Sequence, residues 1–356
     1  LRENPYRLSD DITGIAFKSA DAIAAKLGID KASPKRAEAG LRYVLQQATG
    51  SGHCFLTATE LLDQAAALLE VDKVILEAPL TALVAQEHLV RDGDNIYLHI
   101  MHAAEAGTAK LLKRLVATPL GNKFTIKTEK AIEWVERQHA ITLAPEQKDA
   151  IRVAIDSKVM VVTGGPGTGK TTLIRSLIAI FEKKNVAIAL AAPTGRAAKR
   201  MESATGRDAR TVHRLLEFSP KDGRFIRDEN NPLSADLVII DESSMVDIQL
   251  MQALLKAIPI HARLVLVGDV DQLPSVGPGT TLLDIILSGS IPVVWLKTIF
   301  RQAEGSGIIT NAHRINRGEY PEFNATDFFF VERKDAVRTL ETVVDLVVNR
   351  IPNKFD

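Results

Sequence analysis

The sequence predicts an α/β protein. Its core should be a doubly wound, mostly parallel sheet with helices on both faces, preceded by smaller helical modules. Three observations predict this. From Ile141 onward, short apolar runs alternate with helical patterns, the rhythm of strand–helix–strand units. The octet Gly164-Gly165-Pro166-Gly167-Thr168-Gly169-Lys170-Thr171 lies between the apolar run Val159–Val162 and a helical pattern from Leu173 to Phe181. Strand, glycine loop and helix in that order are the context of a phosphate-binding P-loop. Before Ile141 helical patterns dominate and only one hairpin signal occurs.

At 356 residues the chain exceeds one ordinary core, so two or three domains are expected. Basic and acidic residues balance at 44 each. Net charge therefore gives no support for a nucleic-acid partner, and any basic surface must be local. The single cysteine, Cys54, excludes an internal disulfide and a thiolate metal cluster, and is expected to pack as a small apolar side chain. No apolar run is long enough to span a bilayer and no signal peptide is present, so a cytoplasmic protein with no membrane partner is expected. The chain opens on Leu1, without methionine, in an already patterned region; a longer parent chain is expected.

Residues 1–32 form the first module. Asp11–Phe17 joins two helical stretches, and Ala20–Leu27 continues as an alanine-rich helix. The pattern is similar to a helix-hairpin-helix, whose glycine turn presents N–H groups to a DNA phosphate. Ala16 stands where a second turn glycine is usual, and a plain helical hairpin fits as well. Residues 33–104 carry helical patterns at Pro34–Ala48, Thr57–Leu69 and Val71–Glu87. Leu89–Arg91, the turn Asp92–Asn95 and Ile96–Leu98 then read as a hairpin. Three helices and a β-wing suggest a winged-helix module. The wing has no basic cluster, which favours packing against a neighbour over DNA. Residues 105–140 read as a helical connector in which Lys110, Lys113, Arg114, Lys123, Lys127 and Lys130 form a solvated face in preference to a DNA contact. The strands of the α/β region are Val159–Thr163, Val186–Ala191, Leu237–Ile240, Arg263–Val267 and Val293–Leu296. Ligand loops should lie at their carboxyl ends.

The residues of the loop have distinct uses. The backbone of Gly165, Pro166, Gly167, Thr168 and Gly169 can curl so that N–H groups point at one phosphate. The helix that starts at Lys170, Thr171 and Thr172 adds its positive end. Lys170 reaches the β- and γ-phosphates, and the Thr171 hydroxyl can ligate Mg²⁺. Leu237–Ile240 ends in Asp241-Glu242. One carboxylate, Asp241, is needed to hold Mg²⁺, and Glu242 can orient and deprotonate an attacking water. A kinase would not need that second acid, so the pair favours hydrolysis. Gln272 can sense a γ-phosphate, Arg301 can neutralise charge in a transition state, and the Gln147 amide can read an adenine edge. ATP and Mg²⁺ are the expected cofactors.

Taken together these segments resemble the motor of a superfamily-1 helicase. Gln147 falls in the Q motif, Gly164–Thr171 in motif I and Ala191–Ala198 in motif Ia. Thr211–Leu216 matches motif Ib, Asp241–Met245 motif II, Gly268–Pro274 motif III and Phe300–Gln302 motif IV. Their wording is similar to the RecD/TraA group, the 5′→3′ branch, and Glu3–Leu8 with the modules that follow resembles the stand-alone RecD-like helicases. The resemblance implies a first RecA-like domain over 141–292 and the start of a second over 293–356. It implies an ATP-dependent 5′→3′ DNA helicase in repair or recombination, acting as a monomer on single-stranded DNA and single-strand/duplex junctions. Pro193, Thr194, Arg196, Thr211 and His213 would lie along the single strand. Residues 196–214 hold six Lys/Arg against Glu202 and Asp208, which suits a phosphate track. The insertion 217–231 is in the family a pin that splits the duplex; an ordinary surface hairpin fits its residues equally. Motifs V and VI are absent before Asp356, so this fragment is expected to bind ATP·Mg²⁺ without unwinding. A nucleotide-regulated DNA-binding or assembly module, and the helicase part of a conjugative relaxase, stay open as alternatives.

Overall fold

A computed structural model describes residues 4–8, 16–121, 125–300, 306–323 and 327–354. The chain divides into two compact units. The larger runs through residue 164 and from 169 to 298; the smaller collects residues 165–168 and everything from Ile299.

The larger unit opens with helices Phe17–Lys26 and Pro34–Gly50. Strand β1 (Phe55–Thr57), helices Ala58–Leu69 and Lys73–Ala85, and strands β2 (Leu89–Asp92) and β3 (Asn95–Leu98) follow. β3 pairs antiparallel with both β1 and β2, so the expected hairpin gains a third strand. Helix Ala58–Leu69 starts in a reciprocal capping box between Thr57 and Glu60, which satisfies two otherwise orphan N–H groups. The turn residues Asp11–Ile15 lie outside the described residues, so the expected hairpin turn is not described.

One polar network ties this module together. Arg36 Nε and Nη2 donate to the two carboxylate oxygens of Asp21 at 2.8 and 2.9 Å, and Nη1 donates to Leu69 O at 2.8 Å. Tyr6 donates to Asp21 at 2.8 Å. Burial pushes the Asp21 carboxyl up, but the bonds from Arg36 and Tyr6 outweigh it and hold the group below its ordinary value. Its stabilisation is therefore present above the unfolded carboxyl value of about 3.9 and is lost as pH falls through the lower folded value. Arg36→Ala would leave that half-buried carboxylate without its charge partner, with Tyr6 as its remaining donor. The variant is expected to lose about 3 kcal/mol, read as a lower urea midpoint for the module; an unchanged midpoint would refute the assignment.

Helix His99–Ala117 leads out of the wing and packs on helix Ile248–Ala257. Gln252 Nε2 donates to Ala103 O at 2.7 Å. A Cβ on Gly107 would come within 2.2 Å of that same nitrogen, so a side chain there would displace the Gln252 amide. Gly279 N–H donates to Gly52 O at 3.0 Å, and Cys54, Tyr97, Met101 and Ala104 pack with Ile248. Burial raises the Cys54 thiol to about 12, consistent with an inert packing role. The segment from β1 to β3 thus packs against the helix Ile248–Ala257 region of the same unit. The connector residues Lys110, Lys113, Arg114, Lys127 and Lys130 are exposed.

Beyond helices Thr128–His139 and Pro145–Asp156 lies a six-stranded parallel sheet, order β11-β4-β10-β9-β5-β6. Its strands are β4 (Val159–Thr163), β5 (Ile188–Ala192), β6 (Arg210–Thr211), β9 (Leu237–Ile240), β10 (Arg263–Gly268) and β11 (Val293–Trp295). Central strands alternate between two cores. Val161, Val238, Ile240, Leu264 and Leu266 face Met251 and Leu254, while Val162, Ile239, Val265 and Val267 face Leu173, Leu177 and Phe181. Burial on both faces is why these strands read as unbroken apolar runs. β7 (Phe218–Ser219) and β8 (Arg224–Phe225) form a separate hairpin in the 217–231 insertion, closed by Gly223 at φ 64°.

In the smaller unit, Phe300 N–H donates to Gly167 O at 3.3 Å. Helix Gly307–Asn316 is capped by Asp327, which accepts from Gly307 N–H and Ser306 Oγ at 2.9 and 2.8 Å. Asn311 and Glu322 exchange two bonds of 2.6 Å. A helical stretch from Ala336 to Lys354 leaves Val337, Leu340, Val347 and Val348 each at least 60% exposed. Among the described residues no helix is long and apolar enough to cross a membrane.

Candidate active site

The glycine loop leaves β4 at Thr163. Gly167 and Gly169 both take φ 79°, a left-handed conformation that residues with a Cβ adopt at a cost. Thr168 Oγ1 donates to Gly165 O at 2.8 Å. The helix following the loop begins at Lys170, earlier than its apolar pattern suggests, because Gly169 caps it and its first turn carries the loop's polar residues. Thr171 is exposed and Thr172 half-buried. Lys170 Nζ donates to Gly164 O at 2.5 Å. Burial lowers the pKa of this ammonium, against the opposing pull of Asp269, Glu242 and Asp241.

Sheet register brings the other chemistry to the same edge. β10 runs between β4 and β9, with Gly268 opposite Thr163 and Leu266 opposite Ile240. The chain therefore emerges at Gly164, Asp269 and Asp241 on one side of the sheet. Gly268 has no room for a side chain: a Cβ would lie 2.7 Å from Leu282 Cδ2 and 3.1 Å from Ser244 N. Asp241 and Glu242 are both buried. Asp241 N–H donates to Ala191 O, and Glu242 N–H to Asp241 Oδ1, each at 2.9 Å. Burial first, and the Glu242 charge second, raise the Asp241 carboxyl above its ordinary value. Glu242 itself sits at φ 52°, a conformation that costs about 1–3 kcal/mol in a non-glycine residue and clusters at functional sites. Its Oε1 accepts from Arg200 Nη2, while its Oε2 is buried with no hydrogen-bond partner.

Gln272 is exposed and donates to Asp269 Oδ2 at 3.1 Å. Gln147 is 1% exposed, accepts from Ala144 N–H at 3.0 Å and donates to Gly169 O at 3.1 Å. The oxygen end of its amide thus caps its own helix and the nitrogen end ties that helix to Gly169, and the amide keeps a second N–H and a second lone pair. Arg301 lies outside the described residues.

Pro193, Thr194 and Arg196 follow β5, and Thr211 and His213 sit at and after the end of β6. Ala192 stands opposite Thr211 in the parallel pair, so these five residues gather at the same carboxyl edge as Asp241. Thr194 and Thr211 each cap a helix, accepting from Ala197 and Arg214 N–H at 3.2 Å; their hydroxyl protons remain available to a ligand. Arg196 is exposed. Of the basic residues nearby, Arg207 pairs with Glu182 and Arg210 with Asp208, which thins the expected phosphate track. His213 packs against Phe218 and Phe225, with ring centroids 5.7 and 5.6 Å away, and so joins the insertion to motif Ib. Sequence reasoning counted Arg200 only as a basic residue and Asp269 only as part of a motif; it did not find that Arg200 meets Glu242, because that partner follows another strand.

A family model described as the HHH domain of the ATP-dependent RecD2 DNA helicase matches residues 1–55, and an AAA domain model matches residues 147–278. The ATP-dependent RecD2 DNA helicase of Deinococcus radiodurans is 35% identical over 340 residues, which is 90% of this chain and 46% of that protein. The chain is thus similar to the RecD-type helicases over most of its length. Within that family, the RecBCD enzyme subunit RecD of Mycolicibacterium smegmatis is 41% identical over 194 residues, 48% of this chain and 35% of its own. Among solved structures, the Pif1 helicase of Candida albicans is 26% identical over 51% of this chain and 46% of that one, at a TM-score of 0.41. The chain thus spans less than half the length of the RecD-type relatives it matches.

Proposed function

We propose that this chain carries the nucleotide site and part of the DNA track of an ATP-driven helicase that moves 5′→3′ along single-stranded DNA. One observation carries the reading: the P-loop, the Asp241-Glu242 pair and the candidate DNA residues leave one parallel sheet at the same carboxyl edge. The relatives, named as an ATP-dependent DNA helicase and a RecBCD subunit, support it.

In this reading Lys170 and the loop N–H groups bind the β- and γ-phosphates. Glu242 takes a proton as water attacks the γ-phosphorus, the bond to the β–γ bridging oxygen breaks, and ADP and phosphate leave. Gln272 senses the γ-phosphate, and Arg301 is assigned to transition-state charge. Thr171 and Asp241 would hold Mg²⁺. The donor set fits this ion: among the described residues no cluster of three or more His, Cys, Asp or Glu suits a metal, whereas Mg²⁺ takes one or two carboxylates and completes its shell with water and phosphate. Once bound, the ion neutralises charge on the phosphate oxygens. Pro193, Thr194, Arg196, Thr211 and His213 contact the single strand, with strand/duplex junctions as substrate, and the protein works as a monomer.

The test uses the full-length protein on duplexes with a 5′ or a 3′ single-stranded tail. Single-stranded DNA should stimulate ATP hydrolysis, and only the 5′-tailed duplex should unwind. Equal unwinding of both would refute the direction. Hydrolysis indifferent to DNA, with no unwinding, would favour a nucleotide-regulated binding module.

A further inference from the structure

The residue that engages the candidate base is one that the helicase reading gives no part in the nucleotide site. Among the described residues, Arg200 is the only side chain that ion-pairs with Glu242. The Arg200 side chain is 63% exposed and that of Glu242 only 12%. The guanidinium therefore reaches in from solvent and can withdraw without opening the core. What it leaves behind is a carboxylate whose second oxygen already lacks a partner.

The origin of Arg200 gives this contact its meaning. It projects from helix Gly195–Thr205, which is capped by Thr194 and packs on β5. Arg196 stands four residues earlier and so on the same face, and both are exposed, as is Lys199 beside them. One helix face thus carries a cation at the candidate DNA track and, a turn later, the cation on the candidate base. A guanidinium that forks onto a carboxylate matches a phosphate equally well.

We propose that Arg200 is a positioning residue that couples the DNA track to ATP hydrolysis. Paired with Arg200, the Glu242 carboxylate is neutralised and turned toward the helix. A backbone phosphate of single-stranded DNA lying along Thr194–Arg200 takes the guanidinium in exchange, and Glu242 is freed to accept the proton of the attacking water. One anion replaces another on the arginine, so the exchange strands no charge on that side chain. The proposal rests on the reading of Glu242 as base.

The experiment measures kcat and KM for ATP in the full-length protein, with and without saturating oligo(dT), for wild type, Arg200→Ala, Arg200→Lys and Glu242→Gln. Arg200→Ala should raise the DNA-free kcat and shrink the ratio of DNA-stimulated to DNA-free kcat by about 5-fold or more, the low end of coupling between sites. KM for ATP should stay put. Binding to oligo(dT) should weaken with a salt slope lower by about one. Arg200→Lys should recover part of the ratio, which a merely structural defect would not allow. A kcat that falls equally with and without DNA, or a raised KM, would overturn the proposal and place Arg200 on the nucleotide instead. The base assignment is read separately: a Glu242→Gln enzyme that still turns over fails that assignment, whereas an inactive Glu242→Gln with an unchanged Arg200→Ala ratio fails the coupling alone.

Discussion

Lys170→Ala is expected to abolish ATP hydrolysis, with kcat falling on the order of 10³-fold or more, and to weaken nucleotide binding severely. Lys170 is the cation at the start of the loop helix, and its Nζ lies 2.5 Å from Gly164 O, where the chain leaves β4. Three carboxylates, Asp269, Glu242 and Asp241, act on it electrostatically. Removing the ammonium therefore does more than delete one phosphate contact. It leaves an acidic surface where a polyanion must bind, so repulsion adds to the lost attraction. Lys170→Arg is not a conservative rescue, since a planar fork cannot replace a point charge held this close to backbone. A steady-state phosphate-release assay and titration with a fluorescent ATP analogue measure both effects. Turnover near the wild-type rate in the full-length protein would remove the P-loop from the mechanism.

The parts of the fold that were legible in the sequence share one physical property. β4, β9 and β10 are buried on both faces, so Val159–Val162, Leu237–Ile240 and Leu264–Val267 are unbroken apolar runs. The glycine loop was legible because its φ of 79° at two positions restricts residue choice. β1 and β6, at three and two residues, are too short to show a period. β5 begins at Ile188 and not at Val186, because Val186 N–H closes a turn onto Phe181 O and Ala187 N–H is taken by Asp236. Site contacts made across the sheet had no sequence signal. Gln147 meets Gly169 from 22 residues away, and Arg200 meets Glu242 from 42. Residue type suggests a base for Gln147 to read and carries no sign that its amide also meets the loop at Gly169.

Glu242→Gln is expected to keep ATP·Mg²⁺ binding and to lose hydrolysis by about 10²–10⁴-fold, the usual contribution of a positioned base. The substitution is close to isosteric. The amide oxygen can still accept from Arg200, the residue at φ 52° remains a non-glycine, and the fold should be undisturbed. What disappears is the ability to take a proton from water, together with one negative charge. That charge is a cause of the raised Asp241 carboxyl, so its removal should leave nucleotide affinity equal or slightly higher. Asp241→Asn should behave differently, because it removes the candidate Mg²⁺ ligand and keeps the base. Its defect should appear as a weaker response to Mg²⁺, with activity partly recovered at high Mg²⁺, whereas no Mg²⁺ concentration should recover Glu242→Gln. Single-turnover hydrolysis and nucleotide binding across a Mg²⁺ series separate the two. Variants that bind and hydrolyse alike would show that the adjacent carboxylates act as one charged unit, and the division of roles between them would fall.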